Sequence, residues 1–342
     1  SGEGGSSPSS STSGSSATRD EHFKLLDEFV DWKSGTKAVL KTTVDFADIE
    51  AALKTDGFAD GVSVDNEETA VTMNWLLWVL AGEKIEFQKD DMVYNKTNET
   101  QEDSTALYVI FRTEASDAVV YVRALSRGVC GSSVYFKDNQ VCEDGKVLTK
   151  CGTETFALDY SIPKVCDEGV VKGICGGDLY NLENEFCDSR DNHIYGYVID
   201  GYGYGWMTEN LAYKTKNAKY YNNDVANEAD GYYYTYGEAT TACPTGWEVP
   251  ELNTWRALSD MSIHYDEISG EITFKTIGYY YKSKWYEKSD YAYYWTVTEY
   301  NDGARYIIKI TSSGDSYEMD DYAFEADDMN QVRCTSTEKI SK

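Results

Sequence analysis

Six of the chain's eight cysteines fall between Cys130 and Cys187, a density expected where a segment has too little apolar core to hold itself and is stapled instead. Cys130 to Cys142 reads C-G-S-S-V-Y-F-K-D-N-Q-V-C, and Cys175 to Cys187 reads C-G-G-D-L-Y-N-L-E-N-E-F-C. The lengths match, with Gly second and Tyr sixth. Cys151 to Cys166 opens C-G-T-E-T-F, keeping Gly second and an aromatic sixth before a slightly longer return, so the segment holds three copies of one repeat. The simplest connectivity closes each copy on itself, Cys130 with Cys142, Cys151 with Cys166 and Cys175 with Cys187, because a short turn brings such cysteines together without long-range order. Each closure contributes about 3 kcal/mol in the chain-entropy account. A zinc site would need paired C-x2-C spacings and nearby histidines, and neither occurs. Disulfides on this scale put the chain outside the cytosol.

With 342 residues the chain exceeds one ordinary core and divides into several domains. Its 59 acidic against 31 basic residues give a net charge of -28, which repels nucleic acid and anionic membrane surfaces. The longest apolar run, Trp75 to Ala81, is far shorter than the roughly 18 residues a membrane-crossing helix needs. Nine Ser and four Gly among residues 1–18 make a flexible tether. It resembles the spacer behind the lipidated cysteine of a bacterial lipoprotein, and such an anchor is the one membrane contact expected.

Residues 19–127 read as an α+β domain. Phe23, Leu26, Phe29, Val30 and Lys33 have helical spacing, with Asp20 as a cap. Phe46, Ile49 and Leu53 repeat it before Gly57, and a third helix is expected over 68–81, ending at Gly82. Leu107 to Phe111 and Val119 to Leu125 form a hairpin. The sequons at Asn95 and Asn98 fall in a polar loop. Residues 128–187 are the three stapled repeats, expected to act as a semi-rigid spacer of small β-loops, and 338–342 are a tail.

From Asp188 the chain changes character: 23 of its 29 tyrosines lie between Tyr195 and Tyr322. Gly205-Trp-Met-Thr-Glu-Asn-Leu-Ala-Tyr213 is followed by Ala242-Cys-Pro-Thr-Gly-Trp-Glu-Val-Pro250, then Tyr294-Trp-Thr-Val-Thr-Glu299 and Val332-Arg-Cys334. In that order these blocks resemble the Fibrobacter succinogenes major paralogous domain, with its W-M-A-E-N-L, A-C-P-x-G-W-x-x-P, W-S-S-T-E and V-R-C. The resemblance covers 188–337. It implies a fold like that of C-type lectins and the formylglycine-generating enzyme, two helices on twisted antiparallel sheets. The residues agree: 232–242 and 252–261 have helical spacing with Pro244 and Gly246 between them, and Tyr306, Ile308 and Ile310 alternate along a strand. Cys243 after the first helix and Cys334 in the last strand are expected to pair and fasten the domain's ends.

No catalytic constellation stands out. Only His22, His193 and His264 are present, and there is no Gly-x-Ser-x-Gly, H-E-x-x-H or phosphate loop. The oxidase in the resembled fold needs reactive cysteines, whereas every cysteine here has a disulfide partner, so no enzymatic activity is expected. For calcium, Glu299, Asn301 and Asp302 are candidate ligands, against the simpler reading of a polar hairpin turn. Asp320, Asp321, Asp327 and Asp328 read as a solvated acidic loop. Tyr281, Trp285, Tyr286 and Tyr291 are the candidate ligand-binding residues, since Tyr and Trp offer rigid amphipathic area suited to sugar faces or protein partners. The expected function is cell-surface binding, adhesion to polysaccharide through these aromatics. The alternative is a structural or protein-interaction component of an extracellular assembly, where an oligomer would place tyrosines at subunit contacts.

Overall fold

Two helices of the N-terminal half begin at side-chain caps. The α1 helix (Phe46–Thr55) starts where the Asp45 carboxylate accepts from Ala47 N at 3.0 Å, and α2 (Glu67–Ala81) where Asn66 Oδ1 accepts from Thr69 N at 2.8 Å. Gly82, at φ 69°, takes the left-handed conformation that ends α2. These features belong to a computed structural model that describes residues 21–82, 84, 87–97, 105–112, 119–260, 272, 274–275, 277–286, 291–313 and 316–341. The chain forms two α+β units built on small antiparallel sheets, divided between Lys172 and Gly173.

In the first unit, strands β1 (Val30–Ser34), β2 (Lys37–Leu40), β3 (Val62–Ser63), β4 (Met92–Thr97), β5 (Thr105–Phe111) and β6 (Val119–Cys130) lie in the order β1-β2-β6-β5-β4-β3. Successive side chains of a strand point to opposite faces. Val109 and Phe111 of β5 accordingly pack with Ile49 and Leu53 of α1, while Ile110 packs with Ala70 and Leu77 of α2. Both faces are thus covered by helix. The expected helix from Phe23 to Lys33 does not form: a 3-10 turn spans Glu21–Leu26 and Val30 opens β1. Pairing decides this, since Val30 lies opposite Leu40, Trp32 opposite Ala38, and Ala38 in turn opposite Val120. Non-local strand partners override a local spacing. Asn95 lies within β4 opposite Tyr108, not in a loop, and the Asn98 sequon lies outside the described residues.

The stapled repeats share one register. Cys130 lies opposite Ser133, Cys151 opposite Glu154 and Cys175 opposite Asp178, so each copy opens with a two-residue hairpin turn whose glycine is left-handed. The sixth-position ring of each copy faces the residue two before its first cysteine, pairing Tyr135 with Gly128, Phe156 with Thr149 and Tyr180 with Gly173. A Cβ on Gly173 would sit 2.2 Å from the Tyr180 ring, which explains the glycine. The four bonds are those expected, Cys130–Cys142, Cys151–Cys166, Cys175–Cys187 and Cys243–Cys334. The repeats are not a separate spacer, however. The first two copies belong to the first unit, where Trp75 Nε1 of α2 donates to Lys164 O at 2.8 Å, and the third belongs to the second, where Phe186 stacks on Trp247 at 4.2 Å. Hairpins this thin need a helix or sheet to bury their apolar side.

In the second unit, strands Glu185–Asp188, His193–Ile199, Tyr204–Met207, Thr335–Lys339 and Trp247–Glu248 make one sheet in that order. Helices α3 (Tyr236–Ala242) and α4 (Leu252–Asp260) follow, then hairpin β7 (Tyr279–Tyr281) and β8 (Lys284–Tyr286), and a three-stranded sheet of β9 (Tyr291–Asn301), β10 (Ala304–Ser313) and β11 (Ser316–Glu325). The β10 strand is buried on both faces. Ile307 packs in one core with Trp295 and Val332, and Ile308 and Ile310 pack in another with Trp206 and Trp255, with Tyr306 at its edge. The α3 helix is shorter than 232–242. Tyr232 to Tyr234 are extended instead, which lets the buried hydroxyl of Tyr233 donate to Gly278 O at 2.8 Å and that of Tyr234 to Tyr213 O at 2.7 Å. Cys334 lies just before the last strand, not in it.

Candidate functional site

The Lys282-Ser283 turn joins β7 to β8 with both residues left-handed (φ 47° and 64°), the two-residue turn whose twist matches a hairpin. Its anchor is Asp328, buried, whose Oδ1 accepts from Lys282 N at 2.8 Å and whose Oδ2 accepts from Glu325 N at 3.1 Å. That residue was expected in a solvated acidic loop; the backbone N–H groups it satisfies account for its burial.

Alternation then sorts the aromatics of the hairpin. Tyr280 lies opposite Trp285, and the two pack inward against Tyr221, Tyr233 and Met329, with Trp285 5.0 Å from Tyr233. Tyr279 lies opposite Tyr286 on the other face, their rings stacked at 4.7 Å and 4°. From Tyr279 the row continues to Tyr293 at 4.7 Å, from Tyr293 to Phe324 at 5.7 Å, and from Phe324 to Tyr281 at 5.0 Å. Lys309 caps its far side, its Nζ 3.7 Å above the Tyr291 ring and 5.2 Å from Tyr322. Tyr286 is 37 % exposed and Tyr322 45 %. Burial together with its tyrosine neighbours pushes the Tyr293 phenol up to about 12, so its hydroxyl stays protonated at physiological pH.

Of the four aromatics expected to bind, Tyr281, Tyr286 and Tyr291 therefore line one half-exposed surface, and Trp285 belongs to the inner face. Tyr279, Tyr293, Phe324 and Lys309 complete the surface and were not singled out from sequence. Only the strand phase could have found them, and a Tyr-Tyr-Tyr run carries no polarity from which to read it. Stacked rings cover part of each other's faces, so this surface presents ring edges and phenol oxygens together with the free face of Tyr286.

The remaining candidates have structural surroundings. Glu299 accepts from Arg305 at 3.3 Å, Arg305 also donates to Asn301 O, and Gly303 completes the turn after Asp302, an ordinary polar hairpin end. No group of three or more His, Cys, Asp or Glu side chains suited to a metal exists among the described residues. His193 rests against the Tyr195 ring at 4.2 Å, and its pKa is raised by the nearby Glu209 carboxylate. His22 is exposed, and His264 lies outside the described residues. The residues of the resemblance are largely core. Arg333, buried, donates to Asn210 Oδ1 at 2.7 Å, which also accepts from Tyr294 OH at 2.8 Å, and Trp206 Nε1 donates to Asp200 Oδ2 at 2.9 Å. Beside Arg333 and Asn210 is a polar cavity of about 150 Å³, with the Lys275–Asp230 pair at 2.8 Å in its wall. Compared with protein-family models, with curated proteins and with solved structures, the chain matches none of them.

Proposed function

We propose that the chain is an extracellular binding and display protein whose second unit adheres to polysaccharide through the tyrosine surface, with the Ser/Gly segment as its cell-surface tether. The supporting observation is the contiguous half-exposed row from Tyr286 through Tyr279 and Tyr293 to Tyr291 and Tyr281. Rings of this kind give apolar area for sugar C–H faces and hydroxyls for sugar oxygens at small entropic cost. Eight cysteines in four disulfides fit the oxidising compartment such a role requires. The order of the signature blocks supports placing 188–337 with the paralogous domain family.

Binding to insoluble cellulose and xylan tests the reading. Tyr286→Ala and Tyr291→Ala are each expected to weaken binding roughly three- to tenfold, equivalent to about 0.5–1.5 kcal/mol per aromatic contact. Trp285→Ala is the wrong probe, because it empties the inner cluster. Wild-type protein left in the supernatant removes the sugar reading. A second reading, a protein-interaction component of an assembly, is favoured by the stacking of Tyr279 on Tyr286, since ring edges and phenol oxygens suit a protein surface as well as a sugar. Under that reading, light scattering finds an oligomer that Tyr286→Ala weakens.

A further inference from the structure

We infer that the first unit carries its own glycan-binding groove, built where the second stapled copy departs from the repeat. The Cys151–Cys166 span is 15 residues against 12 in each of the other copies, and the three extra residues (15 − 12) fall between Ala157 and Lys164. Insertions into a repeat map to loops, often on the face that binds. Here the insertion carries Tyr160, which is 66 % exposed, and Ile162, 44 % exposed.

This loop is held, not loose. Its ends are closed by the disulfide, Asp159 Oδ1 accepts from Ser161 N at 2.8 Å and Ser161 Oγ at 2.6 Å, and Trp75 Nε1 donates to Lys164 O at 2.8 Å. The edge of the Tyr160–Trp75 contact (5.2 Å, 88°) fixes the tyrosine ring on a tryptophan that is itself only 4 % exposed. The contact uses one edge of the ring and leaves its faces open on a loop that is tied firmly.

Tyr160 stands at a groove of about 580 Å³, within the roughly 300–1,000 Å³ of small-molecule sites. Leu76 and Leu80 of α2 and Phe136 of the first copy give it apolar wall, Gln140 is already paired with Phe136 N and Thr149 Oγ1, and Ser133 and Lys146 bring polar groups into the same space. Only one lining side chain, Lys146, is charged. A hydrocarbon ligand would leave those polar groups unpaired, and a strongly charged ligand would find one partner; a neutral sugar chain, with apolar ring faces and a rim of hydroxyls, matches both kinds of lining. The class of ligand is therefore an uncharged oligosaccharide, stacked on Tyr160 and hydrogen-bonded inside the groove. This site is independent of the tyrosine surface in the second unit.

Calorimetric titration of the full chain with cellohexaose, xylohexaose and mannohexaose tests it, alongside a Leu/Val-rich decapeptide. The expected result is saturable binding of at least one hexasaccharide, weakened at least tenfold by Tyr160→Ala and largely kept by Tyr160→Phe, with thermal melting lowered by no more than about 4 °C in Tyr160→Ala, the loss of its edge contact with Trp75, and unchanged in Tyr160→Phe. Tyr286→Ala should leave this event intact, which separates it from binding at the other surface. Three results overturn the groove: no hexasaccharide binds, binding occurs but is indifferent to Tyr160→Ala, or only the peptide binds in a Tyr160-dependent way.

Discussion

In the stapled hairpins each ring rests on a glycine or threonine across the strand and the chain is closed by sulfur, whereas in the core of the second unit the buried rings of Tyr195, Tyr233, Tyr234 and Tyr294 are fixed by their own hydroxyls. Tyr233 and Tyr234 donate to backbone carbonyls, and Tyr195 OH accepts from Ala212 N. One region limits the unfolded chain. The other satisfies buried polar atoms, and each phenol that does so is oriented as well as packed. The contrast teaches that a tyrosine-rich core can be specific without being apolar, at the cost of depending on the protonated phenol.

That dependence gives the largest expected effect. Burial raises the pKa of Tyr195, Tyr233 and Tyr234 far above the usual 10 and that of Tyr293 to about 12. The unfolded chain releases these protons near pH 10 while the folded chain holds them, so their stabilisation is complete below pH 10 and declines above it, the share of Tyr293 being lost as pH rises through about 12. Near-ultraviolet circular dichroism and phenolate absorbance should change together in one cooperative step. Gradual, independent titration around pH 10 with the fold intact would contradict the hydroxyl account.

Removing sulfur should rank the two regions. Replacing Cys243 and Cys334 by Ala opens a loop of 91 residues and should cost about 4.6 kcal/mol, against about 3 kcal/mol for Cys151 and Cys166, which are 15 apart. Urea unfolding of the two double variants measures the order, and a larger loss from the repeat pair would invert it. Smaller again is the effect at the turns. Gly152 and Gly145 are both left-handed (φ 58° and 75°), so alanine costs about 1–2 kcal/mol at either. A Cβ at Gly152 would also sit 2.7 Å from Gly169 O, whereas at Gly145 nothing lies within 4 Å, and the first should lose about 1 kcal/mol more. Equal losses would mean that the two turns do not lean on one another.

What could be read from sequence was local. The caps and apolar spacing of α1 and α2, the β5–β6 hairpin and all four disulfide pairings depend on residues close in sequence, on a repeated register or, for Cys243 and Cys334, on the last two cysteines pairing. What could not be read was set by distant partners. Val30 and Lys33 have helical spacing with Leu26 and Phe29, yet pairing to β2, itself paired to β6, claims Val30 as strand. Tyr279 to Tyr281 offer three identical side chains, so their inward and outward phase follows from the pairing to Lys284–Tyr286 and the Asp328 anchor, not from the residues themselves. Trp285, the strongest candidate by type, falls on the inner face for that reason. Asp328 shows the same limit: an acid among acids gives no sign that two backbone N–H groups await it.

The turn-on-turn contact of Gly152 with Gly169 has one more implication. Because a Cβ at Gly152 would meet the backbone oxygen of Gly169 at 2.7 Å, the second copy's first turn tolerates no side chain there, and the two turns can change only together. A duplicated rung would therefore have to bring both glycines with it and find its own helix or sheet to cover it.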